Sequence, residues 1–176
     1  MDDPARSERY MTLSDQAAAL TRAELAILRS SGAFARWIVL LHRAVSGTSL
    51  GWQDVALLHS IRMCGGAQNL SELLLLLNRN DVSTIQYSLK KLEQFEFIKR
   101  VAGGSRREAG YQLTERGLDA TQRYAEEREK LLVGLLGEIN GYAESLDAAA
   151  GALERLTGLY DQGTQAVLNL KILGPR

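Results

Sequence analysis

The stretch from Asn69 to Gly117 decides the fold: NLSELLLLLNRNDVSTIQYSLKKLEQFEFIKRVAGGSRREAGYQLTERG. Asn69 and Glu72 have the spacing of a helix capping box, and the apolar run Leu73 to Leu77 follows them. Residues 78–80, Asn-Arg-Asn, interrupt that run before a second helical pattern begins. This order predicts a short helix, a tight turn and a second helix.

The second helix has one apolar and one polar face. Ile85, Leu89 and Leu92 recur at helical spacing and therefore share one side, and Asn80 or Asp81 can cap the first turn. The other side and its flanks are polar, with Ser83, Thr84, Gln86, Tyr87, Lys90 and Lys91. Such side chains suit a helix in a DNA major groove, where they can reach base edges and phosphates. An ordinary amphipathic surface helix would show the same pattern.

A short hairpin is predicted after this helix. Phe97 to Val101 is apolar and basic, residues 102–104 (Ala-Gly-Gly) permit a sharp turn, and Tyr111 to Leu113 alternates as a returning strand. Arg106 and Arg107 then lie near the tip of the hairpin. Arginine at such a tip can enter a minor groove, although a solvated turn is the simpler interpretation.

The segment resembles the winged helix-turn-helix of the MarR family of transcription regulators. The matching stretches are Asp81–Ile85, Leu92-Glu93 with Phe97–Arg100, and Tyr111–Gly117. The wing tip, residues 103–108, departs from the family pattern because it lacks the aspartate that often pairs with an arginine there. The resemblance implies a recognition helix in the major groove, a wing over the minor groove, and a homodimer formed by the N- and C-terminal helices.

Composition and charge are compatible with this class of protein. The chain has 176 residues, with 6% aromatic residues and two prolines, which favours an α-rich fold. Net charge is zero, but residues 79–107 hold seven bases and three acids, a net charge of +4, whereas residues 118–176 hold nine acids and six bases, a net charge of −3. The positive charge is thus concentrated where DNA contact is predicted.

No catalytic or metal site is predicted. Cys64, His42 and His59 have no zinc-site spacing, and no nucleophile elbow or phosphate-binding loop is present, so we expect neither enzyme activity nor a cofactor. Cys64 is predicted to be packed at a helix end. A lone cysteine, a polar N-terminus and the absence of a long apolar run indicate a cytoplasmic protein.

The predicted organisation is mainly α with a small β-hairpin wing. Residues 1–12 form a flexible arm, residues 13–46 an N-terminal dimerisation helix with a bend or break at Ser30-Ser31-Gly32, residues 50–116 the winged helix-turn-helix domain, and residues 117–173 the C-terminal dimerisation helices. A helix over residues 50–63 is expected to bury Trp52 and Met63. Residues 67–68 are expected to add a short strand beside the wing.

Long apolar stripes in the terminal helices need a partner. The predicted dimer-interface residues are Leu20, Ile27, Leu146, Leu153, Leu156, Tyr160, Val167 and Leu170. The first and last helices could instead pair within one chain. The family resemblance further implies a small aromatic effector, with Trp37, Leu41 and Trp52 as candidate contacts, although burial in the core would also explain the two tryptophans.

The sequence therefore predicts a homodimeric, sequence-specific DNA-binding transcription regulator, most simply a repressor that a small molecule releases. Its partners would be a second copy and a pseudo-palindromic duplex. The predicted DNA contacts are Ser71, Arg79, Ser83, Thr84, Gln86, Tyr87, Lys90, Lys91, Arg106 and Arg107. The alternative is a winged-helix adaptor that binds other proteins and not DNA, which the zero net charge favours modestly.

Overall fold

The computed structural model describes residues 14–66, 68–102, 110–137 and 139–172, with side chains described as far as residue 170. It divides into two compact units, Met1–Glu127 and Arg128–Arg176. The predicted arm, residues 1–12, and the wing tip with Arg106 and Arg107 lie outside the described residues.

The first helix, α1, spans Asp15–Ser46. Its start is capped as predicted, because the hydroxyl oxygen of Ser14 accepts a hydrogen bond from the backbone N–H of Ala17 at 3.2 Å. Of the bend or break predicted at Ser30-Ser31-Gly32, the break is wrong, since the helix continues through these residues and the Ser31 hydroxyl donates to the carbonyl of Leu28. Serine is tolerated within a helix when its hydroxyl bonds back to the preceding turn in this way.

Three helices follow: α2 at Trp52–Cys64, α3 at Leu70–Leu76 and α4 at Val82–Gln94. The side of α2 that faces the core carries Val55, Leu57 and Leu58, all fully buried. Trp52 and Met63 are not on that side. They are 47% and 77% exposed, so their predicted burial is wrong, as is the predicted packing of Cys64, which is also exposed.

The hairpin consists of β1 (Ile98–Val101) and β2 (Gly110–Leu113). The strands are antiparallel, with Ile98 opposite Leu113 and Val101 opposite Gly110. Of the strand predicted at residues 67–68, residue 67 lies outside the described residues. Gln68 forms a β-bridge with Tyr111, in which the two exchange backbone hydrogen bonds of 2.9 and 2.7 Å. These bonds tie the loop before α3 to the base of the hairpin.

One hydrophobic core joins these elements within the first unit. It is completed by helix α5 (Glu115–Arg128), which contributes Ala120 and Tyr124. The other buried members come from α1, α2, α3, α4, the hairpin and the residues just before α2 and β1: Ile38, Leu41, Leu50, Val55, Leu57, Leu58, Ile61, Leu73, Ile85, Leu89, Leu92, Phe97, Ile98 and Tyr111. Because α4 lies directly on this core, its orientation is determined by packing.

The second unit is helical where it is described. A π-helical turn at Glu129–Val133 leads into the short helix α6 at Gly134–Leu136. Gly141, with φ of 72°, precedes the long helix α7 at Tyr142–Ile172. No helix among the described residues is long and apolar enough to cross a membrane.

Candidate nucleic-acid interface

The predicted helix-turn-helix is formed by α3 and α4. Asn69 and Glu72 make the predicted capping box, with hydrogen bonds of 3.0 Å from the Glu72 N–H to the Asn69 side chain and 2.8 Å from the Asn69 N–H to the Glu72 carboxylate. The turn between the helices places Asn78 at φ of 48°, a left-handed conformation that asparagine tolerates better than most residues. Four residues after it, α4 begins.

Helix α4 separates its two faces as the sequence predicted. Ile85, Leu89 and Leu92 are 2%, 1% and 0% exposed and anchor the helix on the core. The outward side, which we call the polar face, consists of four exposed residues: Ser83, Gln86, Tyr87 and Lys90. Thr84 is half-buried beside it. The polar face offers hydrogen-bonding groups and one lysine ammonium on a rigid element.

Asp81 does not cap α4 with its side chain, in contrast to one of the predicted options. Its carboxylate instead accepts two hydrogen bonds from the guanidinium of Arg79, one of them 2.6 Å from Nε. Hydrogen bonding from Arg79 lowers the pKa of Asp81 to about 2. Arg79, a predicted phosphate contact, is therefore already paired in the unbound protein.

Lys91 also has a partner that the sequence did not reveal. Its ammonium lies 2.7 Å from a carboxylate oxygen of Asp54 on α2, and Ser88 donates to the other oxygen of the same carboxylate, also at 2.7 Å. Burial by itself would raise the pKa of Asp54. The hydrogen bonds from Lys91, Ser88 and the Gly51 backbone, together with the charge of Lys91, outweigh that effect and hold the pKa below its ordinary value.

The base of the hairpin is braced by its own contacts. Arg100 lies over the ring of Tyr111, with 5.3 Å from its guanidinium carbon to the ring centroid, and its Nε is 3.4 Å from Glu93 at the end of α4. Lys99 and Arg100 are exposed. Ser71, the remaining predicted DNA contact, is exposed on α3.

The residues predicted for an effector site have different environments. Leu41 is buried in the core, and Trp37 is half-buried and packs against this core. Trp52, at the start of α2, is nearly half exposed. A role for these three residues in binding a small molecule stays a prediction.

Most of the residues predicted for the dimer interface are exposed in the single chain. A residue of a dimer interface would be exposed when the second copy is absent. On α1, Leu20 is 39% exposed and Ile27 is half-buried. On α7, exposure is 44% for Leu146, 46% for Leu153, 41% for Tyr160, 52% for Val167 and 68% for Leu170, and Leu156 is half-buried.

Residues 50–117 match the family model described as "Winged helix DNA-binding domain". The chain contains a winged helix domain. In the described structure this domain comprises α2, α3, α4 and the hairpin, with the first turn of α5. The match includes the polar face and Asp54. No curated protein sequence matches the chain significantly.

Solved structures share the architecture of the winged helix domain and of the helices around it. Rv1404 from Mycobacterium tuberculosis is 22% identical, with a TM-score of 0.63 over 80% of this chain and 95% of that one. Staphylococcus aureus MarR, solved with salicylate and kanamycin, is 14% identical, with a TM-score of 0.62 over 90% of this chain and 98% of that one. The M. tuberculosis transcriptional regulator MosR, solved with DNA, is 15% identical, with a TM-score of 0.58 over 77% and 96%. The predicted resemblance to the MarR family is confirmed in the fold.

Asp54 and Ser88 are the two residues of this region that sequence analysis missed. Asp54 is 37 residues from Lys91 along the chain and belongs to another helix. The only feature of the local sequence that pointed to Asp54 was its position three residues after Gly51. Its carboxylate accepts a hydrogen bond from the Gly51 N–H at 3.0 Å. That spacing predicts a helix start and gives no indication of contact with α4.

Proposed function

We propose that the protein is a homodimeric, sequence-specific DNA-binding transcription regulator. The observation that carries the proposal is the polar face of α4, which is exposed while Ile85, Leu89 and Leu92 anchor the helix on the core from behind. A rigid helix with polar and cationic groups facing outward fits the width of a DNA major groove. The DNA complex of the similar regulator MosR supports the same use of the fold.

Affinity and specificity have different sources on this surface. Lys90, with Arg106 and Arg107 on the wing, supplies phosphate or minor-groove contacts that depend on salt. Ser83, Thr84, Gln86 and Tyr87 supply hydrogen bonds and van der Waals contacts to base edges. In a dimer with two-fold symmetry, the two recognition helices would read half-sites about one helical turn, or roughly 34 Å, apart in a pseudo-palindrome.

The double variant Lys90→Ala/Arg106→Ala tests the DNA contact. We expect weaker binding to every duplex, and a plot of log affinity against log salt whose slope is shallower by about 1.8 for each subunit bound, because two cations no longer displace counterions. Binding is measured by fluorescence anisotropy between about 50 and 200 mM salt, with the DNA upstream of the gene and with a mixed-sequence duplex.

Two control variants make the test specific. Arg29→Ala removes one exposed cation from α1 and should leave the slope unchanged. Gln86→Ala removes a polar group from the polar face without changing charge, so it should alter the preference for the upstream DNA while keeping the slope. A double variant with the wild-type salt dependence would show that Lys90 and Arg106 do not contact the DNA phosphates. No DNA binding by the wild-type protein would favour the protein–protein adaptor instead.

A second copy of the chain would cover the exposed apolar positions of α7. The predicted interface positions on this helix recur at intervals of three, four and seven residues, as in a helix–helix seam. We expect a solution mass of twice 19.4 kDa for the wild-type protein. Leu153→Arg/Val167→Arg should give the monomer mass, because two cations would be buried in an apolar interface.

Gln162→Arg is the matched control for the dimer. Residue 162 lies on the same helix, is exposed, and follows the interface position Tyr160 by two residues, which places it about 200° away around the helix. Sedimentation velocity should therefore still report a dimer for this variant. A wild-type protein that sediments as a monomer would contradict the homodimer.

Regulation would act on the spacing of the two recognition helices. A small effector changes DNA affinity only if it binds the dimer more tightly at one spacing of these helices than at another. The salicylate in the structure of S. aureus MarR supports a small aromatic effector, and Trp37, Leu41 and Trp52 are the residues predicted to contact it. Repression by occupation of promoter DNA is the simplest outcome, and it would take place in the cytoplasm.

A further inference from the structure

Asp54 carries a buried carboxylate. It lies in the first turn of α2, is 5% exposed, and precedes the fully buried Val55. A buried charge is costly unless it is paired and hydrogen-bonded. Moving a hydrogen-bond partner away from Asp54 would therefore cost free energy.

Three donors satisfy this carboxylate, and two of them belong to α4. One carboxylate oxygen accepts from Ser88, which is 2% exposed, and the other accepts from the ammonium of Lys91 and from the Gly51 N–H. Ser88 and Lys91 are three residues apart and so lie on the same side of the helix. Of these donors only Lys91 carries a charge that balances Asp54.

Lys90 and Lys91 therefore have different environments although they are adjacent in the sequence. Consecutive residues of an α-helix point about 100° apart, at 3.6 residues per turn. Lys90 belongs to the exposed polar face, whereas the side chain of Lys91 is 27% exposed and turned to α2. The sequence predicted both as DNA contacts.

We propose that Asp54 is a positioning residue that holds Lys91 against α2, so that Lys90 makes a phosphate contact and Lys91 does not. The inference rests on the DNA-binding function proposed above. If Lys91 moved to a phosphate, Asp54 would stay buried with hydroxyl and amide donors only and would lose its counter-charge. Asp54 thus sets how much positive charge α4 presents to DNA.

The salt dependence of DNA binding distinguishes the two lysines. The probe is a mixed-sequence duplex of about 30 base pairs, long enough for two half-sites one turn apart. Lys90→Met should make the slope of log affinity against log salt shallower by about 0.9 for each subunit bound. Lys91→Met removes the same charge from the neighbouring position and should leave the slope at the wild-type value.

Variants of Asp54 provide the converse test. Asp54→Asn removes the charge that holds Lys91, so the freed ammonium should make the slope steeper than wild type, by up to about 0.9 for each subunit. Asp54→Asn/Lys91→Met should return the slope to the wild-type value. A residue that only stabilised the fold would change the fraction of active protein and not the slope.

The double variant also allows the test to be made if a single variant fails to fold. Lys91→Met can unfold the domain because it leaves the buried carboxylate of Asp54 without its counter-charge, whereas removing both charges together leaves no unpaired charge. Circular dichroism confirms folding of each variant before binding is measured. If the folded double variant has a slope as shallow as that of Lys90→Met, Lys91 contacts DNA and the inference is overturned.

The failure of the inference is distinguishable from the failure of the proposed function. If the wild-type protein binds the duplex and Lys91 behaves like Lys90, only the role of Asp54 is wrong. If the wild-type protein shows no salt-dependent binding to any duplex, the regulator proposal is wrong and the inference falls with it.

Discussion

Replacing Gly117 by alanine is expected to lower the free energy of unfolding by about 3 kcal/mol, the upper part of the usual range for overpacking. Gly117 is the third residue of α5, where the helix crosses the start of the hairpin. A Cβ atom at this position would lie 2.0 Å from the carbonyl oxygen of Phe97 and 3.2 Å from a methyl carbon of Leu113. The first distance is far inside van der Waals contact.

The Phe97 carbonyl has little freedom to move away. It accepts hydrogen bonds from the backbone N–H of Thr114 at 3.0 Å and from the Thr114 hydroxyl at 3.2 Å, and Phe97 itself is 1% exposed. Relief of the clash must therefore displace α5 or the hairpin and break these bonds. Helix propensity acts in the opposite direction, because alanine in a helix is favoured over glycine by about 1 kcal/mol. The clash is expected to exceed that gain.

Gly32→Ala is the matched control. Gly32 lies within α1, and the atom nearest to an added Cβ is the end of the flexible Arg36 side chain at 3.7 Å, an ordinary contact. We expect this variant to be stabilised by up to about 1 kcal/mol. Urea unfolding followed by circular dichroism compares both variants with the wild type. A Gly117→Ala protein at least as stable as the wild type would show that α5 does not approach the hairpin so closely.

Acidification from pH 6.5 to pH 4 is expected to cost about 3 kcal/mol of stability through His42 alone. Its imidazole is 0% exposed, packs edge-to-face on Phe97 with 5.5 Å between ring centroids, and has Nε2 3.2 Å from the Thr48 hydroxyl. Its Nδ1 has no hydrogen-bond partner among the residues that the structure describes. Burial therefore lowers the pKa of His42 from 6.5 to about 4.

The sign of the effect follows from proton uptake. Between pH 6.5 and pH 4 the unfolded chain binds a proton at His42 and the folded chain does not, so acid favours unfolding. The stability associated with the neutral imidazole is complete above pH 6.5 and is lost as the pH falls to about 4. The steepest loss is about 1.4 kcal/mol per pH unit.

His42→Gln isolates this contribution. The amide cannot titrate and can still bond the Thr48 hydroxyl, whereas the carboxylates titrate in both proteins and cancel in the comparison. Urea unfolding of both proteins at several pH values should show the wild type losing stability faster than the variant below pH 6.5. Equal pH dependence in the two proteins would mean that water reaches His42 in the folded state.

Most of the fold could be predicted because its signals are local. The helical spacing of Ile85, Leu89 and Leu92 predicted the buried side of α4, and the spacing of Asn69 and Glu72 predicted the start of α3. The errors concern side chains at element ends and a suspected break. Trp52 and Met63 are hydrophobic but lie off the buried face of α2, and α1 continues through Ser30-Ser31-Gly32.

The candidate interface could be predicted only in part. The exposure of Ser83, Gln86, Tyr87 and Lys90 follows from helical phase, and all four are exposed. The pairing of Arg79 with Asp81 and of Lys91 with Asp54 does not follow from phase. Which cations are free to meet a phosphate depends on where the carboxylates lie.

By itself, then, the sequence determined the order of the elements, the faces of α4 and the concentration of positive charge around it, since helical phase and capping depend on residues a few positions apart. Only the tertiary structure decided that Lys91 is paired with Asp54, that Gly117 has no room for a Cβ atom, and that His42 is buried with no partner for Nδ1 among the described residues. Each of these depends on a neighbour that packing brings from another element, and no local pattern encodes that neighbour.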